Sequence, residues 1–284
     1  MREVRILQRT EPVAQQEAKG SLILQTQSLT KRFGNLTAVD DLSISIEAGE
    51  IFGLVGPNGA GKTTVIKMLT TLLPPTAGDA SVDQHSIIHE ASDVRRVIGY
   101  VPQLISTDGA LTGYENLLIF SKLYDIPRRE RQQRIREVLD FMGISDFSEK
   151  LVRTYSGGMI RRLEIAQAML HRPKVMFLDE PTVGLDPVAR KAVWQHIQQL
   201  RADYGTTIFL TTHYMDEADQ LCIRLAIMHL GKVAAIGSPA ELKSSVGNGA
   251  TLDDVFEYYS GAEVDSAGGY REATRVRRTA KRVG

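Results

Sequence analysis

Ile51-Phe52-Gly53-Leu54-Val55 runs directly into Gly56-Pro57-Asn58-Gly59-Ala60-Gly61-Lys62-Thr63, and this junction decides the fold. The first stretch is an unbroken apolar run of strand length, which suits a central strand covered on both faces. The second fits the pattern G-x-x-x-x-G-K-[ST] of a phosphate-binding loop. A helix-compatible stretch, residues 64–73, comes next. Glycines let such a loop curl so that successive N–H groups point at phosphate oxygens, while the following helix presents its positive end. Gly56, Asn58, Gly59, Gly61 and Thr64 are the expected lining. Lys62 is expected to reach the β- and γ-phosphates of a nucleotide, and the Thr63 hydroxyl to ligate magnesium.

A phosphate loop alone does not separate kinases, GTPases, recombinases and transport ATPases. The Asn-Lys-x-Asp pattern of a guanine-specific site is absent, since none of Asn35, Asn58, Asn116 or Asn248 is followed by lysine. A second apolar run, residues 175–178, ends in Asp179-Glu180. A central strand there delivers two acids to the C-terminal edge of the sheet, where parallel sheets bind ligands. Side chains alternate along a strand, so the two acids are expected to do different work. Asp179 suits the magnesium shell, and Glu180 is then free to orient or deprotonate an attacking water.

Around this centre, residues 42–46 alternate apolar and polar as a half-buried strand does. Ile135, Val138, Leu139 and Met142 fall at helical spacing, with Gly143 at the helix end. Thr112 with Glu115, and Ser238-Pro239 with Glu241, mark further helix starts. Strands alternating with helices imply a mostly parallel sheet. Lys plus Arg (34) balances Asp plus Glu (34), so no net field argues for nucleic acid. With one cysteine, Cys222, the chain cannot form a disulfide framework or a cysteine metal site, and a reducing cytosol is the natural compartment. Residues 1–21 lack the apolar core of a secretory signal and read as a loose leader. No window approaches the ~20 apolar residues that span a bilayer. Beyond Gly261 the chain turns small, polar and arginine-rich, so residues 262–284 read as a basic, disordered tail.

Residues 22–261 resemble the ATP-binding cassette (ABC) family. Beyond the phosphate loop, Ser156-Gly157-Gly158 is similar to its signature motif and precedes the Asp179-Glu180 strand as that family requires. Gln103 in Tyr100-Val101-Pro102-Gln103 resembles the glutamine loop, Gly184-Leu185-Asp186 the D-loop, and His213 in Thr211-Thr212-His213 the switch histidine. Phe33 in Lys31-Arg32-Phe33-Gly34 resembles the aromatic that stacks on adenine. The resemblance implies a head-to-tail dimer with ATP and Mg2+ between the phosphate loop of one copy and residues 156–158 of the other, where Asp186 also meets the nucleotide. It gives His213 a place at the γ-phosphate and Gln103 a place in catalysis and in the magnesium shell. Tyr155 and Met159 depart from the common Leu-Ser-Gly-Gly-Gln form. With Arg161-Arg162 and the closing residues 251–261, they resemble exporters of drugs and polyketide antibiotics whose membrane domain is a separate chain.

The expected architecture is a P-loop NTPase: a three-layer α/β core, an antiparallel β edge over residues 22–46 and a helical insert over residues 104–167. The expected function is ATP hydrolysis powering transport through a separate transmembrane permease. The subunit would be peripheral, on the cytoplasmic face of the membrane, with a second cassette as partner and no nucleic acid. Two rivals are a soluble cassette ATPase of DNA repair or translation and a nucleotide-binding regulator that never hydrolyses ATP. The first class carries coiled-coil insertions or tandem cassettes, which this chain lacks; Glu180 and His213 speak against the second.

Overall fold

The computed structural model describes residues 21–267. Residues 1–20 of the expected leader and residues 268–284, with the arginines of the expected tail, lie outside the described residues. The chain opens with β1 (Leu22–Phe33), which pairs antiparallel with β2 (Leu36–Leu42) along one half and with β3 (Ser45–Glu47) along the other. Leu42, Ile44 and Ile46 all point inward, as their alternation requires, yet residues 42–46 are not one strand. The ladder is interrupted where Ser28 and Asp41 take left-handed backbone, φ 48° and 53°. Thr26 fills the break, its hydroxyl donating to the Leu42 carbonyl (2.8 Å) and accepting from the Ile44 N–H (2.9 Å).

Next, β4 (Ile51–Val55) enters the core, buried along its whole length, and the phosphate loop leads into α1 (Lys62–Leu69). This helix stops short of residue 73 because the Thr70 hydroxyl bonds back to the Ile66 carbonyl (2.8 Å) and Thr71 turns left-handed, φ 62°. The chain then returns to the first sheet as β5 (Ala77–Val82) and β6 (His85–Ser86), giving the order β2-β1-β5-β6 with β3 also on β1. The antiparallel part is therefore not confined to residues 22–46. Its second half follows α1, and the small and polar residues of β5, Ala77-Gly78-Asp79-Ala80-Ser81, hid it.

Through α2 (Ala91–Val97) and β7 (Ile98–Val101) the chain reaches the edge of the core sheet. The helical insert follows as α3 (Gly113–Leu123), α4 (Arg128–Phe141) and α5 (Gly157–Met169). Thr112 and Glu115 cap α3 reciprocally, each accepting the other's N–H, at 3.1 and 2.8 Å. α4 buries Ile135, Val138 and Leu139 and ends before Gly143, left-handed at φ 61°. The core resumes with β8 (Val175–Asp179), α6 (Pro187–Tyr204), β9 (Thr207–Thr212), α7 (Met215–Leu221), β10 (Arg224–His229) and β11 (Lys232–Gly237). The strand order is β11-β10-β4-β9-β8-β7, parallel throughout except for β11. Finally α8 (Pro239–Val246), capped by Ser238 and Glu241, leads to α9 (Leu252–Ala267). α9 runs past Gly261, where the tail was expected to begin; residues 262–267 contain no proline or glycine, and Gly268-Gly269 follow.

Alternate residues of the core strands feed two apolar cores. Phe52, Phe177 and Phe209 face α1 and the antiparallel sheet, with ring centroids 5.9 and 5.6 Å apart along the row. Val55, Leu178 and Leu210 face the insert, α6 and α7. Each fully buried side chain of this size contributes about 1.5–3 kcal/mol. This double packing fixes the C-terminal ends of β4, β8 and β9 side by side, and the functional residues lie there.

Candidate nucleotide site

Two glycines of the loop are demanded by close backbone approach. A Cβ on Gly56 would lie 2.2 Å from the Met228 carbonyl oxygen, and one on Gly61, at φ 106°, would lie 2.3 Å from that of Ala38. Gly59, also left-handed at φ 84°, faces open space, and Asn58 beside it is exposed. Lys62, in the first turn of α1, is only 4% exposed. Its ammonium donates to the carbonyls of Gly56 (2.7 Å) and Pro57 (3.1 Å) and lies 3.1 Å from Glu180 Oε1. Thr63 and Thr64 follow, both half-buried.

Asp179 ends β8 and Glu180 leaves it. Rather than continuing the strand's alternation, Glu180 turns left-handed at φ 48°, anchored by its N–H donating to the Thr211 carbonyl (3.1 Å) and hydroxyl (3.0 Å). The turn sends the two carboxylates to different partners. Asp179 Oδ1 accepts from the hydroxyls of Thr63 (3.2 Å) and Thr211 (2.6 Å), while its Oδ2 is buried without a partner. Glu180, almost fully buried, places Oε1 on Lys62 and Oε2 2.9 Å from His213 Nδ1. On the neighbouring strand, the Tyr100 hydroxyl is pushed up to about 12 by burial and then by the charge of Asp179, so it stays protonated. The Thr63 hydroxyl beside the Asp179 carboxylate, with one of its oxygens buried and unsatisfied, is a donor set that fits a hard divalent cation such as magnesium.

Thr211 was not among the residues picked out from the sequence for a role of its own. Its hydroxyl holds both acids, and the only signal was its place ahead of His213. Gln103 stands two residues beyond β7, at the same sheet edge as Glu180, but no hydrogen bond joins its side chain to Thr63 or Asp179 among the described residues. Ser156 is exposed and caps α5, its hydroxyl accepting from the Met159 N–H (3.3 Å). Gly158 is pressed on α6, where a Cβ would lie 2.8 Å from that of Ala189, and Gly157 rests against Leu185. Asp186 caps α6 through Val188 (2.9 Å) and Ala189 (3.0 Å). Phe33, 47% exposed, has the Lys31 ammonium 5.2 Å from its ring centre. The structure thus brings Lys62, Thr63, Asp179, Glu180 and His213 together, while no hydrogen bond or ion pair links residues 156–158 or Asp186 to the phosphate loop among the described residues.

A family model described as "ABC transporter" matches residues 39–183, which span the phosphate loop, residues 156–158 and both acids. The chain belongs to the ABC transporter ATP-binding family. The cassette is 43% identical over 242 residues to the daunorubicin/doxorubicin resistance ATP-binding protein DrrA of Streptomyces peucetius, covering 85% of this chain and 73% of that one. It is 39% identical over 225 residues to the linearmycin resistance ATP-binding protein LnrL of Bacillus subtilis, covering 79% of this chain and 72% of that one. A solved ATP-binding subunit of an ABC transporter shares its fold with a TM-score of 0.75 at 28% identity, over 84% of this chain and 99% of the other. The cassette is an ATPase of the kind that powers transport. Among the described residues no helix is long and apolar enough to cross a membrane.

Proposed function

We propose that this cassette hydrolyses ATP at the ends of β4 and β8 to drive export of a drug-like or other hydrophobic compound through a separate membrane-spanning subunit. The observation that carries the chemistry is Glu180, buried and held between Lys62 (3.1 Å) and His213 (2.9 Å). The loop N–H groups and Lys62 bind the β- and γ-phosphates, and a γ-phosphate that draws the ammonium toward itself frees the Glu180 carboxylate. Glu180 then takes a proton from water as the water oxygen attacks phosphorus and the bond to the ADP oxygen breaks. His213 gives Nδ1 to Glu180, which leaves Nε2 for the γ-phosphate. Thr63 and Asp179, with Gln103 at the same edge, would hold a magnesium ion that neutralises charge on the phosphate oxygens. Phe33 supplies the stacking face for adenine.

Residues 156–158 and Asp186 complete the site of a second copy rather than their own, consistent with their separation from the phosphate loop. Drug export rests on the resistance proteins among the relatives, which also favour transport over repair or translation. Leu104, Ile105 and Leu123, at 81, 64 and 70% exposure, are apolar surface suited to a membrane subunit at the cytoplasmic face. Glu180→Gln keeps the shape of the side chain but removes the base, so hydrolysis falls by roughly a hundredfold or more while ATP binding persists. Turnover at the wild-type rate in that variant would sink the assignment.

A further inference from the structure

Two charged side chains of α5 are buried with no place in the chemistry above. Arg161 and Glu164 lie one turn apart, their side chains 7 and 1% exposed, with Arg161 3.0 Å from Glu164 Oε2. Both reach off the helix to one distant loop. Arg161 donates to the carbonyls of Pro102 (2.8 Å) and Gln103 (3.1 Å), and Glu164 Oε1 accepts from the N–H (2.6 Å) and hydroxyl (3.0 Å) of Ser106. The loop is therefore gripped on both sides of Leu104-Ile105, which project into solvent. A buried ion pair is poor value as core filler, since apolar residues of similar volume serve a core as well or better. What this pair supplies is direction: bonds to defined backbone groups in a segment that has no ladder of its own.

We propose that Arg161 and Glu164 are positioning residues that lock the Gln103 loop to α5, so that the loop at the phosphate edge and the turn at residues 156–158 move as one piece. The grip passes along α5 itself: Ser156 caps the helix, and Arg161 and Glu164 follow on its next turns. A change at Gln103 is then felt directly by the surface offered to the second copy. This inference rests on the proposed placing of Gln103 in the magnesium shell at the phosphate edge and of residues 156–158 across a dimer.

The test uses Arg161→Met/Glu164→Leu, which keeps volume and removes the grip, and Ser106→Pro, which removes the loop's N–H and hydroxyl but leaves the ion pair in place. Each is made in the full chain carrying Glu180→Gln, and ATP-dependent dimerisation is followed by sedimentation with magnesium and ATP. A nitroxide on Leu104→Cys reports loop motion in parallel; Cys222 is buried and does not compete for the label. Both variants are expected to bind ATP as the parent does, to dimerise roughly tenfold more weakly, and to give a more mobile nitroxide spectrum. Ser106→Pro, altering an exposed loop position, carries the test if the α5 double variant fails to fold. An unchanged nitroxide spectrum, or dimerisation as tight as the parent's despite a mobile label, overturns the proposal. A parent that does not dimerise with ATP overturns the coupling to the second copy and the functional reading beneath it, while the nitroxide still reports whether the loop is held.

Discussion

At Lys62, a buried ammonium shared among two loop carbonyls and Glu180 makes the clearest point of attack. Lys62→Ala removes the ammonium that touches the loop's interior, and equilibrium binding of ATP is expected to weaken sharply; unchanged affinity would count against the cradle. Phe33→Ala is expected to cost roughly 1–3 kcal/mol of ATP binding, with Phe33→Tyr nearly silent and selectivity over GTP modest, because stacking tolerates ring identity. If Phe33→Ala leaves ATP and GTP affinities untouched, adenine sits elsewhere. The loop, both acids and His213 were legible in the sequence because each sits in a short contiguous pattern. Thr211 was not, because its hydroxyl matters only through the register that lays Thr211 of β9 beside Asp179 of β8.

Helix starts were the most readable elements, since a cap and its acid lie three residues apart and need no tertiary information. Accepting first from the Thr112 N–H and then from its hydroxyl holds Glu115 below its ordinary 4.5, and Ser238 does the same for Glu241. A carboxylate depressed in the folded state adds stability that is present above its ordinary value and is lost as pH falls through the lowered one. Glu115→Gln/Glu241→Gln should therefore melt below wild type near neutral pH, and the gap should close as pH drops below 4.5. A gap that stays constant into strong acid would remove the charge from the account. Thr112→Ala, which deletes a cap outright, is expected to cost about 1 kcal/mol. Elements defined by partners were harder to read. β5 carries little apolar signal and is a strand because β1 offers it an edge, and residues 42–46 break where Thr26 replaces two ladder bonds.

For the whole molecule, the parallel core followed from strand and helix order, whereas the insert and the placing of residues 156–158 against another copy came only through the family resemblance. Residues 156–158 bond within α5 and pack against Leu185 and α6; on the function proposed above, a single copy then surrounds the γ-phosphate on one side only. ATP that gains contacts from both chains only when they close shifts the equilibrium toward the dimer by that difference in affinity. Glu180→Gln with magnesium and ATP should sediment as a dimer, and with ADP as a monomer. Mixing Lys62→Ala chains with Ser156→Arg chains should restore activity to two weak proteins, since one composite site then joins intact halves. No recovery on mixing, together with activity independent of concentration and of any partner, would mean that each chain completes its own site.

Glu180 sits in left-handed backbone, a conformation that costs a non-glycine residue on the order of 1 kcal/mol or more. Asparagine tolerates that geometry better, and Lys62 would keep its two loop carbonyls. Glu180→Asn relieves that strain but strips the buried Lys62 ammonium of its counter-charge, the larger effect, so it is expected to melt below wild type while hydrolysing almost nothing. Heat tolerance and turnover therefore hang on one carboxylate, and breeding this cassette for sturdiness would keep its working acid in place.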